Sequence, residues 1–384
     1  MRICTFSRIM GAHRDFYPSL VGVLTPVFSE LGIEVVSLTT ALPDGSPGRR
    51  QEGIADVHYL APRRVDDSFC KATAAEFDRL HAEKPFDLVF GRGPSVWGFL
   101  SQSAHAATVP LIMHEGTYPR WLHQLDRKLP RLRGLLEKPF ALMAARKHRI
   151  YRQCLQRAAV VVCNSPALAQ ALRRVNWWNP PNTRFIPYGF DLEPYIAADR
   201  PVEQPPRLVN VGRLTWDKGV IDMIDILASA KGDAVLEVIG PANSRVQKAM
   251  VARAAKHGVQ ARVTTPGPAR NDDLPGRLSG ASVYLFPSTH PEGLSKSVME
   301  AMAAALPVVA YDMPGMRALI EDKVTGFILP AGDTAGAAAK VDLLLSDPGL
   351  RDRMGQAARA RLARDFGHPS AIAQWQALFA EVKG

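Results

Sequence analysis

Residues 282–305 read SVYLFPSTHPEGLSKSVMEAMAAA. The run Ser282-Val283-Tyr284-Leu285-Phe286 has the length and the β-branched and aromatic content of a buried strand. A short polar loop follows, and then an alanine-rich stretch that reads as a helix. Two carboxylates, Glu292 and Glu300, stand with seven residues between them across that junction. A helix starting near Ser297 would turn the unpaired N–H groups of its first turn back towards Glu292. Those groups and the helix dipole favour negative charge. One carboxylate beside an anion and one behind it suit a ligand that is half sugar and half phosphate. The same residues also fit a capping box from Ser297 to Glu300, with Met299, Met302 and the alanines as plain core. Both readings stand on this stretch alone.

Strand followed by helix recurs along the chain. In the first half, apolar strand-like runs fall at 3–7, 34–39, 57–61, 87–91, 111–114, 160–164 and 184–187. Helix-like segments fall between them at 17–31, 71–82 and 166–174. A second set of runs lies at 208–211, 235–239, 262–264, 283–286, 308–311 and 327–329. Such alternation predicts α/β architecture, parallel sheets covered on both faces, with ligands at the carboxyl ends of the strands. Between the two sets, residues 188–207 are rich in proline and charge and break the pattern. The predicted organisation is a first domain at 1–190, a linker at 191–206 and a second domain at 207–366. Residues 367–384 form a last helix whose Trp375, Leu378 and Phe379 need burial, which crossing back to the first domain would provide. Two domains on a linker imply a cleft.

Length and composition are consistent with this. A chain of 384 residues is too long for one typical core and comfortable for two domains. No run of about 18 apolar residues occurs, and the N-terminus reads as a first strand, not a signal peptide. Cys4, Cys70, Cys154 and Cys163 are scattered without C-x-x-C pairing, a cytosolic pattern offering neither a disulfide framework nor a zinc site. No metal site is indicated. The formal net charge of +10 predicts an acidic partner. Between Arg120 and Arg157 eleven lysines and arginines face only two acids, Asp126 and Glu137, so this region carries nearly the whole excess.

The second domain opens on Val211-Gly212-Arg213-Leu214-Thr215-Trp216-Asp217-Lys218-Gly219. An arginine fork and a lysine point charge at the carboxyl end of a strand suit a diphosphate. Asp217 could instead neutralise Lys218. Neither G-x-x-x-x-G-K-[ST] nor G-x-G-x-x-G occurs, so neither a P-loop NTPase nor a standard dinucleotide enzyme is indicated.

Together these pieces resemble a retaining glycosyltransferase of family 4, with the GT-B fold: two Rossmann-like, doubly wound parallel-sheet domains facing an interdomain cleft. The residues that carry the resemblance are residues 211–219, Pro287-Ser288 with Glu292-Gly293 and Glu300-Ala301-Met302, and the run 186–191 at the linker. His114-Glu115-Gly116 and Asn164-Ser165 also fit. The resemblance implies that Arg213 and Lys218 neutralise the donor diphosphate, with Gly293, Leu294 and Ser295 cradling the distal phosphate and Gly11 facing it from the first domain. Glu300 would bind the nucleotide ribose and Glu292 the donor sugar, and His114 would reach the sugar or phosphate. No metal or other cofactor is implied beyond the nucleotide-diphosphate sugar donor, and no Asp-x-Asp occurs.

Departures from the family pattern are visible. Only Gly11 stands where paired glycines are common, and Gly293-Leu294-Ser295-Lys296 replaces glycine-aromatic-glycine. Lys296 adds a cation beside the donor or acceptor, or points to solvent. His290 reads as a structural turn residue. The apolar and basic mix of residues 120–157 suits either an anionic membrane surface or a solvated helix face. The function expected is a hexosyltransferase moving a sugar from a nucleotide sugar to a glycan or glycolipid acceptor in bacterial surface polysaccharide or glycolipid assembly. Its expected location is cytoplasmic, peripheral on the inner face of the membrane. A nucleotide-sugar 2-epimerase and a catalytically silent nucleotide-sugar-binding protein are the alternatives. No nucleic-acid module surrounds the basic stretch.

Overall fold

A computed structural model describes residues 1–6, 20–42, 44–62, 64, 66–116, 149–176, 179–198, 204–290 and 293–383. Gly11, Glu292 and residues 120–148 of the basic stretch lie outside the described residues. The chain divides into two compact units, one of Met1–Gly189 with His368–Gly384 and one of Phe190–Gly367.

The first unit is built on a sheet of eight strands among the described residues. They are β1 (Arg2–Phe6), β2 (Glu34–Thr39), β3 (Gly48–Glu52), β4 (Ala55–Tyr59), β5 (Leu88–Gly91), β6 (Leu111–Glu115), β7 (Val160–Cys163) and β8 (Thr183–Phe185). Their order is β3-β4-β2-β1-β5-β6-β7-β8. All neighbours run parallel except β3, which pairs antiparallel with β4. The periodicity does not predict β3. Its sequence, GRRQE, has no apolar alternation, and the strand sits exposed at the sheet edge, held by its pairing with β4 and by the Arg49 fork on Asp56 across that pair. The helix expected from residue 71 begins earlier, at Asp67, because the Asp66 carboxylate accepts the Ser68 and Phe69 N–H groups and caps it.

Apolar side chains fill both faces of this sheet, one around Phe6, Phe77 and Phe99, the other around Phe28, Phe90 and Trp375. Trp375 arrives on the last helix, His368–Lys383. It is fully buried, stacks edge-on against Phe90 at 5.7 Å and donates its indole N–H to Pro187 O at 3.1 Å. Glu381 of the same helix accepts both arms of the Arg184 fork.

The second unit carries β9 (Arg207–Val211), β10 (Val235–Ile239), β11 (Val263–Gly267), β12 (Val283–Phe286), β13 (Val308–Tyr311) and β14 (Gly326–Leu329). They form an all-parallel sheet in the order β11-β10-β9-β12-β13-β14. The proline-rich stretch after residue 190 is partly structured. Glu193–Ile196 is a helical turn that buries Tyr195 against Phe190. Phe190 also donates its N–H to Phe366 O at 2.9 Å and bridges to Gly367, so the two ends of this unit lie side by side. Among the described residues no helix is long and apolar enough to cross a membrane.

Candidate functional site

In the second sheet the strand order runs outward in opposite directions from β9 and β12. Between two such strands the loops diverge above and below the sheet and leave a crevice at the carboxyl ends, where open α/β sheets hold ligands. The direct β9–β12 ladder is short, pairing Val283 with Leu208 and Tyr284 with Val209. Side chains replace it above that point. The Tyr284 hydroxyl takes the Val211 N–H and donates to Val211 O, both at 3.2 Å, and Asn210 Nδ2 donates to Leu285 O at 2.7 Å.

The two loops flanking this crevice are the two that the sequence singles out. Arg213 is exposed on the loop after β9, and Lys218 ends a 3-10 turn, Trp216–Lys218, with its ammonium 5.6 Å from the Phe286 ring. Asp217 knits the two loops together. Its backbone carbonyl accepts the N–H groups of Thr289 (2.8 Å) and His290 (3.0 Å), together with the Ser288 hydroxyl (3.2 Å). Its carboxylate takes the Thr215 hydroxyl at 2.6 Å and meets His290 Nδ1 at 2.8 Å. Burial works against that carboxylate, but the hydrogen bonds from Thr215 and His290 outweigh it and hold its pKa below the ordinary value. His290 is therefore one partner of a side-chain hydrogen bond that spans the two loops, a role that its place in a turn does not reveal. Gly219 completes the junction: its φ is +71°, and a Cβ there would lie 2.0 Å from Pro287 O. Only glycine permits this approach.

The helix after β12 runs Lys296–Ala303, one residue earlier than the sequence suggests. Ser295 precedes it without making a side-chain cap, so the first-turn N–H groups are not taken up by that hydroxyl. The capping-box reading of Ser297 and Glu300 does not hold. Glu300 sits in the second turn, its side chain 4% exposed, and meets Lys296 Nζ at 3.3 Å. The Tyr195 hydroxyl also hydrogen-bonds to it. Burial raises the Glu300 pKa, and Lys296 and Tyr195 offset only part of that rise. Gly293 and Ser295 are buried beside this helix start and Leu294 is half-buried.

A second polar cluster lies at the carboxyl end of β6 in the first unit. His114 is 1% exposed, packs its ring on Tyr188 at 5.0 Å, and has no hydrogen-bond partner for either ring nitrogen among the described residues. Burial, reinforced by the Arg92 charge, pushes its pKa down to about 3, so the ring is neutral at pH 7. Glu115, facing the other side of the sheet, is pushed up to about 7 by burial, against the opposing pull of Arg92 and the Tyr151 hydroxyl. Around Gly116 stand Asn164 Nδ2, Tyr188 Oη and Arg92 Nη2, at 3.3, 3.4 and 3.7 Å from where a Cβ would be. The four cysteines are buried and unbridged. Among the described residues no group of three or more His, Cys, Asp or Glu side chains could hold a metal ion.

Comparison with known proteins places these features in a family. The profile of the glycosyl transferases group 1 matches residues 193–361, and that of the glycosyl transferase 4-like domain matches residues 27–189. Alpha-D-kanosaminyltransferase of Streptomyces kanamyceticus is 32% identical over 195 residues, 50% of this chain and 48% of that protein. Glycogen synthase of Mycobacterium tuberculosis is 33% identical over 174 residues, 44% of this chain and 41% of the synthase. The match thus spans about half the length of these curated relatives. Sucrose-phosphate synthase from Thermosynechococcus elongatus superposes with a TM-score of 0.74 at 18% identity, over 99% of this chain and 98% of that one. Anabaena HepE, solved in complex with UDP and glucose, gives 0.70 at 17% identity over 99% of this chain and 100% of its own. At such identities the likeness is one of fold. Two adjoining profiles, each falling on one of the two doubly wound sheets, establish that the chain belongs to the group 1 (family 4) glycosyltransferases of the GT-B fold.

Proposed function

We propose that the chain is a retaining hexosyltransferase that moves a sugar from a nucleoside diphosphate to a glycan or glycolipid acceptor. One observation carries the donor half. The two loops at the switch point of the second sheet are locked together through Asp217, and they bring two cations, a helix start and a buried carboxylate to one edge. Sugar transfer builds positive charge on the sugar and negative charge on the departing diphosphate. Fixed cations and N–H groups aimed at the diphosphate stabilise that state more than the ground state. Arg213 and Lys218 supply the cations, and the backbone from Gly293 to Ser295 supplies the N–H groups. The charge of the leaving group is then met without a metal.

Glu300 accepts the ribose hydroxyls in this scheme. Glu292, outside the described residues, takes the sugar hydroxyls, as the family pattern implies. His114 acts as a neutral imidazole, a hydrogen-bond partner for a hydroxyl and not a counter-ion for phosphate, since burial keeps it uncharged. Relatives support the choice of donor and of setting. HepE was solved with UDP, and the lipopolysaccharide core glycosyltransferase LpsE of Rhizobium meliloti is 26% identical over 210 residues.

Thermal shift against UDP, GDP, ADP, CMP and their sugar conjugates tests the donor site, because a ligand of the folded state raises the melting temperature according to its affinity. One nucleoside diphosphate should shift wild type and fail to shift Lys218→Ala. A folded protein that responds to none of them would sink the reading. A new sugar nucleotide formed without any acceptor would replace transfer by epimerisation.

A further inference from the structure

Glu300 is a carboxylate held from two sides. Lys296 approaches from one turn earlier on its own helix, and Tyr195 comes from the helical turn Glu193–Ile196, itself pinned by the Phe190 ring. The carboxylate is almost wholly inside while the Lys296 side chain is 64% exposed, so the ammonium remains in water and only the anion is buried. A lone buried carboxylate would take up a proton, because burial disfavours its charged form. An ionised carboxylate has about four lone-pair sites. Lys296 and Tyr195 use two of them, which leaves two acceptor positions and no donor.

That remainder matches one chemical pattern, two neighbouring hydroxyls that both donate. We infer that Lys296 and Tyr195 are positioning residues that hold Glu300 as an acceptor for a vicinal diol, and that they thereby make the site selective for ribonucleoside over 2′-deoxyribonucleoside diphosphates. The inference rests on the donor-site reading above and deepens it. It also assigns a role to Lys296, the cation that departs from the family pattern. Lys296 acts through Glu300 and not by contacting phosphate. Losing one hydroxyl from a diol leaves a charged acceptor unpaired, and hydrogen bonds to charged groups are the costly ones to lose.

The test compares dissociation constants for UDP and 2′-deoxy-UDP, with the GDP and ADP pairs measured in parallel, by calorimetry on the full chain. Wild type should prefer the ribonucleotide by about tenfold or more, the range for one hydrogen bond to a charged group. Lys296→Met and Tyr195→Phe should shrink that preference to about threefold or less while barely changing the affinity for the deoxynucleotide. Lys296→Arg should restore it, a rescue that a packing role would not show. Glu300→Gln should abolish the preference and serves as the reference. If Lys296→Met weakens both nucleotides equally, the lysine touches phosphate and the inference is overturned. It is equally overturned if wild type binds UDP without discriminating. Wild type that binds no nucleoside diphosphate removes the donor-site reading itself, and the inference with it.

Discussion

Two adjacent residues of one strand, His114 and Glu115, are buried together and pushed in opposite directions, and this has a consequence for stability. The folded pKa of Glu115, about 7, lies above its ordinary 4.5, so between those values the folded state holds more protons than the unfolded one. Stability from this group is complete below pH 4.5 and is lost as pH rises through 7. His114 has the reverse sign. Its folded pKa of about 3 lies below 6.5, so its contribution is complete above pH 6.5 and is lost as pH falls towards 3. The two oppose each other in mildly acidic solution, and above pH 6.5 Glu115 acts alone. In chemical denaturation, Glu115→Gln should gain on wild type by on the order of 3 kcal/mol between pH 4.5 and pH 8. A gap between the two proteins that does not change with pH would mean that Glu115 is not buried as described. At this scale the sequence was only partly legible. His114, Glu115 and Glu300 could be picked out as polar residues at strand and helix ends. The partners of Asp217 and Glu300 could not, because His290 lies 73 positions away from Asp217 and Tyr195 sits in a stretch that reads as linker.

Among the elements, the junction at Gly219 is where local geometry governs the site. A side chain there meets both a left-handed backbone, φ +71°, and the Pro287 carbonyl. Gly219→Ala should therefore cost about 2–4 kcal/mol, the sum of left-handed strain and overpacking. Gly258, with φ +67° and nothing within 4 Å, provides the comparison, and Gly258→Ala should cost only about 1–2 kcal/mol, the strain alone. Equal losses for the two, read from urea midpoints, would show that contact with Pro287 does not matter. Strands such as β12, apolar along their whole length and buried on both faces, were legible because burial on both faces needs nothing but apolar residues. The edge strand β3 was not, since it buries no side chain and its contacts to β4 are backbone pairing and polar side chains, which leave no apolar period. The exact start of the helix at Lys296 was also hidden, because Ser295 and Ser297 are equally good candidates for a cap and neither Ser295 nor Glu300 makes the expected bond.

Over the whole molecule, the first unit depends on residues that the chain supplies last. Trp375 fills the face of the first sheet beside Phe90, and its indole N–H is satisfied by Pro187. Trp375→Ala should destabilise that unit by about 3–5 kcal/mol, the usual cost of truncating a buried tryptophan. Equilibrium unfolding should then split, with the first unit melting ahead of a second unit whose stability is unchanged. A single shifted transition would count against this. The need of Trp375, Leu378 and Phe379 for burial, and the first domain as the place for it, were legible from the sequence; which residues of that domain they meet is a property of tertiary structure.

The connection at Phe190 and Gly367 has a further meaning. The N–H of Phe190 bonds to Phe366 O, and Gly189 abuts His368 so closely that a Cβ would fall 2.7 Å from its ring. The chain leaves the first unit and re-enters it through one doorway. In genetic terms the second unit is a cassette spliced into a host, with both seams at the same place. A recombination event, or a protein engineer, could lift residues 190–367 out and ligate another cassette between 189 and 368, leaving no gap in the host that a long tether would have to span.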